Sequence, residues 1–206
     1  MKKIIYIFSV LLITRVSASA QDQKIISDCT ISYSVINSNA SHQNNLGSKI
    51  IYIKGKQIRV DLISNTFNQT VFYNSNSGNA TVLKTVGEAK YISQYNAADW
   101  EKANGMYYGI SVSFTDATKS ILNYVCKQAI LKLKNGNTYT VYYAPAIMPS
   151  VTENPFEFKD IPGLILEYES SIKENEKIIY TANKIDYSAV PSVQFEIPKT
   201  GYRILH

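Results

Sequence analysis

Apolar and polar residues alternate at period two through most of this chain, and that pattern commits it to β-sheet. Ile31, Tyr33 and Val35 alternate with Ser32, Ser34 and Ile36. Ile58, Val60 and Leu62 alternate with Arg59 and Asp61, and Tyr139, Val141 and Tyr143 with Thr138, Thr140 and Tyr142. Successive side chains of a strand point to opposite faces, so each run predicts a strand with one buried and one wet face. The residues are largely β-branched or aromatic, which suits a pleated, half-buried surface. Turn signals separate the runs: Lys54-Gly55-Lys56, Ser75 to Asn79, Val86-Gly87-Glu88, Asn135-Gly136 and Lys173 to Lys177. Strands joined this tightly are antiparallel.

Helix signals are few. Asn96 to Asn104 predicts one short helix, capped by Asn96 with Asp99 and Glu101 in its first turns. Asp116 to Leu122 is a second candidate. Neither is long enough to make a layer. The stretch from Ser34 to Lys49 reads as a polar surface loop. No domain boundary interrupts residues 21–206, which are expected to form one β-rich domain.

Residues 1–20 read as a signal peptide. Lys2 and Lys3 precede the run Ile4 to Ile13, and Ala18-Ser19-Ala20 is a small-x-small cleavage site. Ten residues fall short of the roughly 20 that span a bilayer, and no later stretch approaches that length, so no transmembrane segment is expected after cleavage. Asp28 before Cys29 does not suit lipoprotein processing, so the expected destination is the periplasm or the exterior. The whole chain carries a formal net charge of +5. Without the three basic residues of the leader, 18 basic residues face 16 acidic ones, interspersed, which argues against a nucleic-acid partner.

An exported chain meets an oxidising compartment. Cys29 and Cys126, the two cysteines, could form a disulfide there. Closing so long a loop contributes about 4–5 kcal/mol in the chain-entropy model. Two separately buried thiols are the other arrangement, and both remain open.

Three stretches occur in order in the C-terminal half. They are Lys119-Ser120-Ile121-Leu122-Asn123-Tyr124-Val125-Cys126, then Thr140-Val141-Tyr142-Tyr143-Ala144-Pro145, then Ile161-Pro162-Gly163-Leu164-Ile165-Leu166-Glu167. With the tail Phe195 to Tyr202, they resemble the GLPGLI family of exported Bacteroidetes-type proteins. Asp160 and Ile161 stand where the family has Gly and Leu, Asn123 replaces a Gly, and Tyr142 replaces a Trp. The resemblance marks a divergent member. It implies export, an antiparallel architecture akin to the half-barrels of lipoprotein carriers, and no established catalysis. The expected fold is mainly β: an antiparallel, strongly curved sheet or half-barrel with one or two short helices. Within the last motif, Pro162 cannot donate to a sheet and should open a strand, while Gly163 permits close backbone approach. Leu164, Leu166 and Tyr168 should then face one side, and Ile165, Glu167 and Glu169 the other.

The chemistry of catalysis is thin. His42 lies in the polar loop and His206 is the last residue, so a nucleophilic triad has no framed base. Glu167 and Glu169 share a strand face about 7 Å apart by strand rise. That pair, like Asp99 with Glu101 and Glu153 with Glu157, reads as solvated carboxylates. No metal cluster or phosphate loop is present, so neither cofactor nor enzyme is expected. Tyr142-Tyr143 and Tyr107-Tyr108 put rings on both faces of their segments. That favours a binding module holding an apolar small molecule or lipid on a curved sheet. The alternative is an envelope protein-interaction module that binds another protein.

Overall fold

The computed structural model describes residues 23–37, 44–173 and 176–205. Residues 1–20, where a signal peptide is expected, lie outside them, as do His42 and His206. Fourteen strands follow in order: β1 (Lys24–Ile26), β2 (Asp28–Asn37), β3 (Asn45–Lys54), β4 (Gln57–Ser64), β5 (Phe67–Asn74), β6 (Ala80–Val86) and β7 (Ala89–Tyr95) precede the helix α1 (Ala97–Ala103). After it come β8 (Ser111–Ile121), β9 (Tyr124–Lys132), β10 (Thr138–Ala144), β11 (Ile147–Pro149), β12 (Leu164–Lys173), β13 (Glu176–Asp186) and β14 (Arg203–Ile204).

Twelve strands form one open sheet in the order β14-β7-β6-β5-β4-β3-β2-β13-β12-β10-β9-β8. Two meanders, β2 to β7 and β8 to β13, are joined where β13 pairs antiparallel with β2. The expected antiparallel, mainly β architecture is what forms. Only the two-residue β14 runs parallel to its neighbour in this sheet, and β1 pairs parallel with β11 apart from it. Laid flat, twelve strands would spread over about 50 Å. Yet Ile53, Tyr33, Tyr180, Tyr168, Val141 and Leu131, from β3 round to β9, belong to one buried cluster. The sheet therefore curves around its contents.

Those contents are the chain itself. The connection between β10 and β12, residues 145–163, folds into the concavity and buries Ile147, Val151, Phe158 and Ile161 in the same cluster. Each such side chain contributes about 1.5–3 kcal/mol on leaving water. A void in this core, beside Ile31, Ile53 and Leu164, is about 20 Å³, room for about one water.

The expected hairpins form, with two instructive departures. Asn135-Gly136 closes β9 to β10 through a longer loop, in which Gly136 donates to Leu133 O (3.0 Å) and Leu133 to Asn137 O (2.9 Å). Gly136 takes φ 90° and Asn135 stays at negative φ. The helix expected at Asp116 to Leu122 does not form. Thr118 to Ile121 pair instead with β9, and Leu122-Asn123 make a two-residue turn at φ 50° and 66°. Positive φ at both central residues matches the right-handed twist of the strands it joins, which is why a hairpin wins over a helical turn. α1 forms as expected, with Asn96 Oδ1 accepting from Asp99 N at 3.0 Å.

The wet face expected on β4 is partly covered. Arg59 forms a bidentate pair with Asp61, both contacts 2.9 Å. Arg59 also donates to Gln194 O at 2.9 Å, so the C-terminal segment lies over a charged pair and Asp61 is buried.

Candidate functional site

The motif residues converge, because β12, β10, β9 and β8 are consecutive in the sheet. Lys119 Nζ lies 2.7 Å from both carboxylate oxygens of Glu167 and 5.5 Å from the Tyr142 ring centroid. Thr181 donates to Glu167 at 2.9 Å, and Gln128 to the Tyr142 hydroxyl at 2.8 Å. Glu169 is paired with Lys177 at 3.1 Å. These carboxylates are each held by a lysine and form a structural network. Tyr124 meets the Tyr187 hydroxyl at 2.7 Å. Pro162 is exposed just before β12, and Gly163 is buried against Ala144 and the Tyr143 ring.

The facing expected along β12 changes at one residue. Tyr142 stands opposite Glu167, but Tyr143 stands opposite Ile165. Leu166 is the extra residue of a bulge, which resets the alternation. Ile165 therefore shares a face with Tyr143, Val141 and Tyr168 rather than with Glu167. Cys29 and Cys126 are held as buried free thiols on β2 and β9, four strand positions apart. Burial pushes each up to about 11, so little thiolate is present to enter exchange at neutral pH.

A second constellation lies on the concave side and was not singled out from sequence. The inward parity of β3 carries Lys49, Ile51 and Ile53, so a lysine enters the core. Lys49 is 5% exposed. Its ammonium pairs with Glu153 Oε2, donates to the Tyr168 hydroxyl at 2.7 Å, and lies 5.6, 4.8 and 5.3 Å from the ring centroids of Tyr33, Tyr168 and Tyr180. Tyr168 and Tyr180 stack at 4.5 Å, and Phe158 meets Tyr168 edge-on at 5.3 Å. Glu153 and Glu157 come from the inserted connection. They are not the solvated pair their spacing suggests: the Glu153 side chain is 8% exposed and Glu157 is 7% exposed. Asn154 turns the chain there, its Oδ1 accepting from Phe156 N and Glu157 N at 3.1 and 3.3 Å.

Burial sets the protonation of this cluster. It lowers Lys49 to about 7, with the Glu157 carboxyl pulling the other way. It raises Glu157 to about 7, offset in part by Lys49 and by hydrogen bonds from Tyr107 and Asn154. Tyr168 is pushed well above the usual phenol range. For Glu157 the folded value lies above the ordinary 4.5. Its contribution to stability is thus complete below pH 4.5 and is lost as pH rises through 7. Relative to Glu157→Gln, the wild type should lose on the order of 3 kcal/mol between pH 4.5 and 7. Urea titrations at the two pH values measure this, and parallel stabilities would show that Glu157 does not titrate in that window.

Beside the cluster is a cavity of about 220 Å³, with Val60, Val71 and Phe158 as apolar wall and Lys49, Gln69, Glu153 and Trp100 as polar wall. α1 places Trp100 there, its indole 5.4 Å from the Tyr95 ring. Among the described residues, two buried side-chain polar atoms have no partner: Trp100 Nε1 and Glu153 Oε1. Both residues line this one cavity. Also among the described residues, no three His, Cys, Asp or Glu gather to hold a metal ion, and no helix is long and apolar enough to cross a membrane.

No family model matches the chain, and no curated protein does. Among solved structures it is similar to PNGF-II in two crystal forms. The C2 form gives a TM-score of 0.52 at 13% identity, and the P21 form 0.53 at 14%. What matches is the fold. The likeness covers 85% of this chain but only 30% and 31% of PNGF-II, so this chain spans about a third of that protein's length.

Proposed function

We propose that this chain is an exported, non-catalytic binding module, a divergent GLPGLI-type protein, and that its ligand occupies the cavity beside α1. One observation carries the reading: two residues that line the same cavity, Trp100 and Glu153, each hold a buried polar atom without a partner, a donor on the first and an acceptor on the second. Leaving such groups unpaired costs about 1–3 kcal/mol each, and a ligand bonded to both would offset that. The apolar trough expected for a lipid is filled by residues 145–163, which favours a small polar ligand. Several titratable groups gather at the cavity, but most are committed to one another, Lys49 to Glu153 and Tyr168, and Glu157 to Asn154 and Tyr107. That commitment supports binding rather than turnover.

The protein's one tryptophan is Trp100, so its emission reports the site directly. Protein purified from its native envelope, denatured and extracted, should release about one equivalent of a small polar molecule. Returning that molecule to stripped protein should shift the Trp100 emission. The second reading, a protein-interaction module, draws on β8, an eleven-residue edge strand that carries the exposed Phe114 and lies beside the exposed Val125 of β9. Exposed edges of this kind accept an added strand. Recovery of a crosslinked protein partner with no small molecule would favour it.

A further inference from the structure

Resting on the cavity as the ligand site, the geometry points to the class of ligand: a neutral ring bearing hydroxyl groups, a single pyranose unit, free or at the end of a glycan. The volume comes first. About 220 Å³ lies below the 300–1,000 Å³ typical of drug-sized ligands. It encloses about one substituted ring and is too small to bury a whole lipid chain. The hydrogen-bonding demand comes second. Trp100 Nε1 offers a donor and Glu153 Oε1 an acceptor, both buried. A hydroxyl group satisfies both kinds of demand, because it donates and accepts. Gln69 lines the same cavity and adds an amide that can do either.

Charge comes third. The Lys49 cation is already paired with Glu153, and Glu157, which burial holds partly protonated near neutral pH, is bonded to Tyr107 and Asn154. An anionic or cationic ligand would lose its hydration without meeting an uncompensated opposite charge. The apolar surfaces of Val60, Val71 and Phe158 complete the match. A sugar ring presents C–H groups on its faces and hydroxyls at its rim, and this cavity is lined by apolar side chains together with the two residues that hold unpaired polar atoms.

Calorimetric titration with a panel of methyl pyranosides, and with short oligosaccharides ending in the same sugars, tests the inference. One member should bind in a 1:1 ratio and shift the Trp100 emission. Equal affinity for the glycoside and its oligosaccharide would mark a free sugar as the ligand, and tighter oligosaccharide binding a chain end. Trp100→Phe keeps an aromatic ring but removes the donor, and should weaken binding about tenfold by calorimetry. Gln69→Leu, in the cavity wall and outside the ion pair, should weaken it less, and guards against a folding defect in any one variant. If the molecule released from native protein is not a carbohydrate and no panel sugar binds, the ligand class is wrong while the site stands. If a sugar binds but neither variant weakens it, the sugar sits elsewhere and the inference fails. If neither sugar nor extract affects Trp100, the binding-site reading falls with it.

Discussion

Lys49→Met should lower the unfolding free energy by about 3–5 kcal/mol, the cost of breaking a buried pair from one side. The ammonium sits on the inward parity of β3, against Glu153, the Tyr168 hydroxyl and three tyrosine rings. Methionine fills much the same space, so the loss is electrostatic rather than a cavity. It leaves the Glu153 carboxylate buried with no counter-charge. Urea unfolding at about pH 6, below the value near 7 to which burial lowers Lys49 and so with the ammonium largely charged, measures it. The double variant Lys49→Met/Glu153→Gln removes both charges and should regain much of the loss, because an ion pair replaced by neutral groups is often close to neutral in stability. A loss below about 1 kcal/mol would mean that the pair behaves as a solvated surface bridge. The consequence for function follows from the same contact. Lys49 joins the sheet to the inserted connection that carries Glu153, a wall of the cavity. The double variant should fold yet lose the site.

The sheet was legible because its information is local. Ile31, Tyr33 and Val35, or Tyr139, Val141 and Tyr143, announce their faces by alternation alone, and the turns between strands carry their own chemistry. Asn96 to Asn104 was legible for the same reason, through a cap and an acidic first turn. The failures are places where a distant element decides. Thr118 to Ile121 could pair or coil by sequence, and β9 settled it. Leu166 carries no mark of a bulge; the register with β10 creates one. Residues 145–163 have no period in their sequence, so nothing local says that they turn inward and fill the curve of the sheet. Glu153 and Glu157 therefore read as surface carboxylates, and the site they build was invisible. One signal was available. Lys49 stands in phase with Ile51 and Ile53, and a lysine at an inward position demands a buried acid somewhere else in the chain.

Gly163→Ala should cost about 3 kcal/mol, at the upper end of overpacking effects, and a larger residue there should prevent folding. The reason is backbone, not conformation. A Cβ on Gly163 would run into the carbonyl oxygen of Ala144, and would lie 2.9 Å from both the Ala144 carbonyl carbon and a carbon of the Tyr143 ring. Ala144 is the last residue of β10 and pairs with Leu164, so it cannot yield without opening the β10–β12 register. A flexible neighbour would swing away, but a paired main chain does not. Gly105→Ala is the control: a Cβ there meets nothing within 4 Å, and stability should change by less than about 0.5 kcal/mol. Equal stabilities of the two variants would discard the close approach as the reason for glycine. The cost should also reach the cavity. Gly163 ends the inserted connection just after Ile161 is buried, so displacing it shifts the segment that holds Glu153 and Glu157. Any Gly163→Ala protein that does fold should show an altered Trp100 emission, whereas Gly105→Ala, although only five residues from that tryptophan in sequence, should leave it unchanged.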